Sequence, residues 1–249
     1  MTAAPAAAPA PRLEAPPPGI GVVAPYDLAL DRELWRWTPE PVSLYMTRTP
    51  ALEVAVSVEL AHRLGDLDAI ASACRAVSVA EPGVTAYLCT SASFVSGLDG
   101  EARLRAAMEA AGASHALTTS GALLAALEAL GAARVAVGTP YDAALTERLV
   151  AFLGEAGVAT SGTGHLGMGA DIWRLSAGTV RELARSLPLD GADAVFLACT
   201  NLPTYDVLPA LEAELGLPVL SANLVTMWAA LRSLGMLPEG RPERLFAAR

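Results

Sequence analysis

The sequence predicts an α/β protein built from two halves related by a pseudo-twofold axis, each a parallel sheet flanked by helices, with the site in the cleft between them. Three observations carry this prediction. Short apolar runs of strand length alternate along the chain with longer helical patterns, as in parallel sheets covered on both faces. Two of these runs end in the same dipeptide, Cys89-Thr90 and Cys199-Thr200. Two others end in Pro25-Tyr26-Asp27 and Pro140-Tyr141-Asp142, so two strand-end motifs recur in the same order, 110 and 115 positions on. Recurrence at nearly one offset points to an internal duplication. Halves related in this way turn their strand C-termini toward a shared cleft, where α/β folds place their ligands.

The elements follow in order. Met1 to Pro18 is almost all Ala and Pro, with neither the basic start nor the apolar core of a targeting peptide, and is expected to be a disordered tail. Gly19–Ala24 reads as a strand, Asp31–Trp37 as a short helical turn whose Trp35-Arg36-Trp37 cluster is expected to be buried, and Val42–Thr47 as a second strand. Helices are expected over Val54–Leu64 and over Asp66–Val79, the latter capped by Asp66. Val84–Leu88 is a strand that delivers Cys89. A helix over Glu101–Ala111 stops at Gly112, the strand His115–Thr118 runs into Ser120, and the helix Ala122–Leu130 stops at Gly131. The second unit opens with strand Arg134–Val137, helix Leu145–Ala156 and a weak strand Val158–Thr160, followed by a glycine-rich loop to Gly169. It closes with helix Thr179–Ser186, strand Val195–Ala198 delivering Cys199, helix Pro209–Leu215, strand Val219–Leu220 and helix Leu224–Leu234. The expected division assigns 19–118 plus 222–249 to one half and 119–221 to the other.

Composition excludes several functions. The net charge of −9 argues against a partner held through phosphates, so no nucleic acid is expected. No apolar run reaches the roughly 18 to 20 residues of a membrane span. The chain contains no lysine, which removes Schiff-base chemistry and with it pyridoxal phosphate. His62, His115 and His165 have no Cys or His at metal-ligand spacing, and neither a phosphate loop nor a dinucleotide fingerprint is present. The expected chemistry therefore uses no metal and no cofactor. The expected compartment is the cytoplasm, where three cysteines are free thiols rather than structural disulfides.

Two of those thiols, Cys89 and Cys199, stand at equivalent strand ends, while Cys74 lies in mid-helix and reads as core. A thiolate can add to an activated double bond or exchange a proton at carbon, and a second thiol across the cleft can serve the opposite face. Thr90, Ser91, Thr200 and Asn201 supply neutral donors beside the thiols, able to bind a carboxylate without a cation. Tyr26, Asp27, Ser120 and Tyr141 complete the candidate site.

These motifs, with Ser221-Ala222-Asn223-Leu224-Val225-Thr226-Met227-Trp228, resemble the Asp/Glu racemase superfamily, and within it the maleate cis-trans isomerases and arylmalonate decarboxylases. Asp31-Arg32-Glu33-Leu34-Trp35-Arg36-Trp37 is also similar to an ectoine-utilisation branch of that group. The resemblance implies a fold of two Rossmann-like halves and cofactor-independent chemistry on a small carboxylate, with Cys89 as nucleophile, Cys199 as its partner and Tyr141 orienting a carboxylate. It also suggests a homo-oligomer. Asp27 stands where the isomerases carry an asparagine, Asp171 is the nearest match to a further family asparagine, and the decarboxylases keep only the second cysteine. The reading is an isomerase; a racemase using the same thiols, a decarboxylase and a carboxylate-binding sensor are the alternatives.

Overall fold

The computed structural model describes Pro17–Ala248, so the tail expected over Met1 to Pro18 lies, but for its last two residues, outside the described residues. Two parallel four-stranded sheets are built. The first holds β1 (Gly19–Ala24), β2 (Ser43–Arg48), β3 (Val84–Tyr87) and β4 (Ala116–Thr118) in the order β2-β1-β3-β4. The second holds β5 (Arg134–Thr139), β6 (Ala159–His165), β7 (Ala194–Leu197) and β8 (Val219–Ser221) in the order β6-β5-β7-β8. The strand order thus repeats. β3 and β7 occupy the same place in their sheets, and Cys89 and Cys199 leave their ends alike.

Ten α-helices cover these sheets among the described residues: α1 (Asp31–Trp37), α2 (Val58–Leu64), α3 (Leu67–Ser78), α4 (Thr90–Phe94), α5 (Gly97–Ala110), α6 (Thr119–Leu130), α7 (Ala143–Glu155), α8 (Ala177–Arg185), α9 (Leu208–Leu215) and α10 (Ala222–Ser233). The central strands β1, β3 and β7 are buried along their whole length, which is why they read as unbroken apolar runs. Helix starts follow the capping residues. Asp66 accepts the amide of Ala69 at 2.8 Å, and Asp142 that of Leu145 at 2.8 Å. The last strand of each sheet passes straight into a helix capped by its own final residue, Thr118 for α6 and Ser221 for α10. These two helices pack on each other, and the Thr226 hydroxyl donates to Thr119 at 3.0 Å.

Four expectations are corrected. The helix expected from Val54 begins only at Val58, because Ser57 caps it through Leu60 and the segment before it is bonded across the cleft, Val56 N–H donating to the Gly169 carbonyl at 2.8 Å. The short helix α4 was not foreseen, because Thr and Ser conceal a single turn. The glycine-rich stretch expected to be loop as far as Gly169 is strand β6 up to His165, and only its last four residues are loop. Of the tryptophan pair, Trp37 is buried but Trp35 is 47% exposed, since a seven-residue helix turns only one face inward.

The glycines of β6 are required by close approach, not by turns. A Cβ on Gly162 would stand 2.6 Å from Cγ of Pro188, and one on Gly164 would stand 2.9 Å from Cδ2 of Leu187. The segment that links α8 to the next strand lies directly on them. Gly162→Ala is accordingly expected to destabilise the protein by about 1–3 kcal/mol through overpacking, although alanine favours a strand's backbone entropy over glycine. A urea midpoint unchanged or raised would refute the contact.

Candidate active site

The strand ends converge on a cavity of about 230 Å³. Cys89 enters it from the first sheet and Cys199 from the second; Cys74 is buried in helix α3, with its thiol on the Met108 carbonyl at 3.4 Å. Cys89 has ordinary extended backbone geometry, with φ of −142°. Cys199 has φ of +86°, a conformation that suits glycine and costs other residues about 1–3 kcal/mol unless the surroundings enforce it. They do: Ala198 N–H donates to Gly138 at 2.8 Å, and Leu202 N–H donates to the Cys199 carbonyl at 3.0 Å. The strained turn aims the thiol into the cavity instead of the sheet.

Tyr141, buried at the end of β5, neighbours both thiols and Thr90. Thr90 lines the cavity, and its buried hydroxyl has no hydrogen-bond partner among the described residues, an unmet capacity that a ligand could satisfy. Ser91 Oγ lies 3.9 Å from the Cys89 sulfur. Burial pushes the Cys89 thiol up to about 11; the Ala92 amide and Ser91 oppose this, and the Asp27 charge adds to it. Burial likewise pushes Cys199 up to about 12, although it keeps a window on the cavity; the Asn201 amide and Tyr141 oppose the shift, and Asp27 and Cys89 add to it. Both groups therefore rest as thiols at neutral pH.

Tyr26, Asp27, Thr200 and Asn201 also line the cavity. Asp27 stands at its mouth, open to water on one side, yet the protein around it excludes enough water to raise its carboxyl, against its own amide, Arg48 and Asn201. Asn201 spends its whole amide on the opposite half: its oxygen accepts Ala29 N–H at 2.8 Å and its nitrogen donates to the Asp27 carbonyl at 3.0 Å. Ser120 is not at the cavity. It is fully buried behind Thr90, 2.7 Å from the Ser93 hydroxyl and donating to the Thr90 carbonyl at 3.2 Å, so it props the loop from behind.

Residues missed in the sequence build the rest. Val54, Val56, Leu60, Leu64 and Ile172 form an apolar wall, with Trp173 at its edge. Leu64 is fixed by the buried Tyr87 hydroxyl, which donates to its carbonyl at 2.7 Å. The facing loop hangs on the Pro-Tyr-Asp turn, Gly167 N–H donating to Tyr141 and Met168 N–H to Pro140, both at 2.8 Å. Asp171 joins the lining with φ of +54° and pairs with Arg174 at 3.5 Å. Among the described residues, no group of three or more His, Cys, Asp or Glu is placed to hold a metal ion, and no helix is long and apolar enough to cross a membrane.

Repeated α/β halves with a thiol from each in one cleft define a class, and comparison with known proteins agrees with it. A cysteine-to-serine mutant of the maleate cis-trans isomerase of Nocardia farcinica, with a covalently bound succinylcysteine intermediate, superposes with a TM-score of 0.84 at 28% identity, over 92% of this chain and 98% of that one. A liganded double mutant of arylmalonate decarboxylase gives 0.83 at 29% identity, over 92% and 98%. In sequence, the arylmalonate decarboxylase of Bordetella bronchiseptica is 35% identical over 165 residues, 64% of this chain and 68% of that protein, and the maleate isomerase of Nocardia farcinica is 35% identical over 168 residues, 64% and 67%. The arylmalonate decarboxylase family profile matches residues 58–244, and the chain belongs to that family.

Because the thiolate is the reactive form, the raised thiols set a pH profile. Alkylation of Cys89 by iodoacetamide, followed by peptide mass spectrometry, is expected to accelerate about tenfold per pH unit through pH 9 and level off only near 11. A plateau below pH 8 would show a thiolate already formed at rest.

Proposed function

We propose that the protein is a cofactor-independent isomerase of a small carboxylate, with Cys89 as nucleophile and Cys199 as its proton-transfer partner. The observation that most supports this reading is that a thiol from the same strand end of each repeat lines one cavity. The succinylcysteine in the related maleate isomerase supports a covalent course.

In that course the Cys89 sulfur bonds to one alkene carbon as the π bond opens. The electron pair moves toward the neighbouring carbon and its carboxylate, and Cys199 delivers a proton there. The carbon–carbon bond, now single, rotates. Cys199 takes the proton back, the π bond re-forms in the trans arrangement, and Cys89 departs. The proton that Cys89 sheds on adding passes to Cys199 by way of the Tyr141 hydroxyl, the neighbour of both sulfurs, and returns the same way, so no atom is gained or lost. Thr90, Ser91 and Thr200 hold the carboxylate with Tyr141, Tyr26 and Asp27 border the entrance, and Asn201 acts by fixing the Asp27 turn.

A decarboxylase is the second reading, favoured by the family match and by the apolar wall. Mass spectrometry separates the two. With maleate and a panel of unsaturated and 2-substituted acids, Cys199→Ser is expected to accumulate a substrate-sized adduct on Cys89, and Cys89→Ser to form none and lose turnover. Carbon dioxide release indifferent to Cys89→Ser would establish the decarboxylase. Deuterium entering an α-carbon from heavy water with no adduct would establish a racemase.

A further inference from the structure

The charges around the cavity restrict its substrate further. No Arg or His lines it among the described residues, and the chain has no lysine. Two carboxylates do. Asp171 is paired with Arg174. Asp27 forms no ion pair among the described residues; Arg48 is near enough to favour its charge but spends its hydrogen bonds on the main chain. Arg48 directs one guanidinium nitrogen at the carbonyls of Leu28 at 2.7 Å, Tyr26 at 3.3 Å and Pro25 at 3.5 Å. The Asn201 amide is bound to backbone as well. The turn after β1 is thus held by its main chain, and its carboxylate is left facing the cavity.

The other polar groups are of a different kind. Thr90 is buried, lines the cavity and has an unpartnered hydroxyl; Ser91 and Thr200 add two more hydroxyls. These neutral donors suit one carboxylate. A second carboxylate, reaching toward Asp27, would meet a like charge that no ion pair neutralises, and such juxtapositions are costly. A cation there would gain instead. It would also cancel a field that raises both Cys89 and Cys199, making either thiol easier to ionise once the substrate is seated.

We propose that the substrate, on the isomerase reading, is a small unsaturated monocarboxylate bearing an ammonium or amidinium group, seated with its cation on Asp27 and its carboxylate on Thr90, Ser91 and Thr200. The covalent course is unchanged: Cys89 sulfur bonds to the alkene carbon β to the carboxylate, the proton from Cys199 goes to the α-carbon, and both steps reverse after rotation. The apolar wall of Val54, Val56, Leu60 and Leu64 takes the hydrocarbon between the two ends.

The test separates binding from turnover. Calorimetry with the saturated acids 4-aminobutanoate, butanoate and succinate is expected to rank them in that order for the wild type. Succinate should fall about 100-fold below 4-aminobutanoate, the scale of exchanging an opposite-charge contact for a like-charge one. Asp27→Asn is expected to abolish the preference for the amine and to improve succinate. If 4-aminobutanoate binds no tighter than butanoate, or if Asp27→Asn leaves the ranking as it was, the assignment is overturned. Incubation of Cys199→Ser with cis-4-aminobut-2-enoate and with maleate tests the underlying chemistry: an adduct on Cys89 from the aminated acid in excess of maleate supports both. Absence of any Cys89 adduct from either acid, with the binding order intact, would defeat the isomerase reading and leave the cation site standing.

Discussion

One buried carboxylate holds the loop after β7 in place from the opposite half. Glu33, in α1, accepts the amides of Thr204 at 2.8 Å and Tyr205 at 3.1 Å, the Thr204 hydroxyl at 3.4 Å and the Asn223 side-chain amide at 3.0 Å. Asn223 reaches on to the Thr200 carbonyl at 3.0 Å. Every partner is a donor, which the ionised acid satisfies and a neutral amide would not. Burial raises the Glu33 carboxyl while these bonds hold it down. An unmatched buried polar group costs about 1–3 kcal/mol, comparable to the cost of the left-handed turn at Cys199. Between Glu33 on one side and the Asn201 amide on the other, that turn has no freedom to relax.

The thiols themselves were legible because their signal is local. A cysteine and threonine ending an apolar run, repeated at a nearly constant offset, needs no tertiary knowledge, and the same strand order in both sheets accounts for it. Pro25-Tyr26-Asp27 and Pro140-Tyr141-Asp142 were legible for the same reason. What could not be read were roles fixed by distant partners. Asn201 has the residue type and position of a substrate ligand, yet its amide is taken by backbone more than 170 positions away. Glu33 reads as one acid on an amphipathic turn until Thr204 meets it, 171 positions on. Ser120 follows a strand end as Thr90 does, but its strand is the last of its sheet, and the helix it opens packs against α10. The Val54–Ser57 segment has helical composition and is drawn out of helix by its bond to Gly169.

The chemistry follows from what the cavity lacks as much as from what it holds. Thiols pushed to about 11 and 12 are protonated at neutral pH, and on the proposed chemistry a ligand that alters the field around them makes them easier to ionise. Tyr141, Thr90 and Ser91 provide hydrogen bonds without charge, and Asp27 provides a carboxylate that forms no ion pair among the described residues. Such a site favours a substrate that completes it.

The proposed chemistry requires Cys89 and Cys199 to address one molecule together. Binding of one equivalent of phenylarsine oxide, a trivalent arsenical that bonds two neighbouring sulfurs, tests this directly when followed by alkylation and peptide mass spectrometry. The prediction is a single arsenic per chain that protects Cys89 and Cys199 together and leaves Cys74 to be alkylated on unfolding. Protection of one cysteine without the other would contradict a shared site.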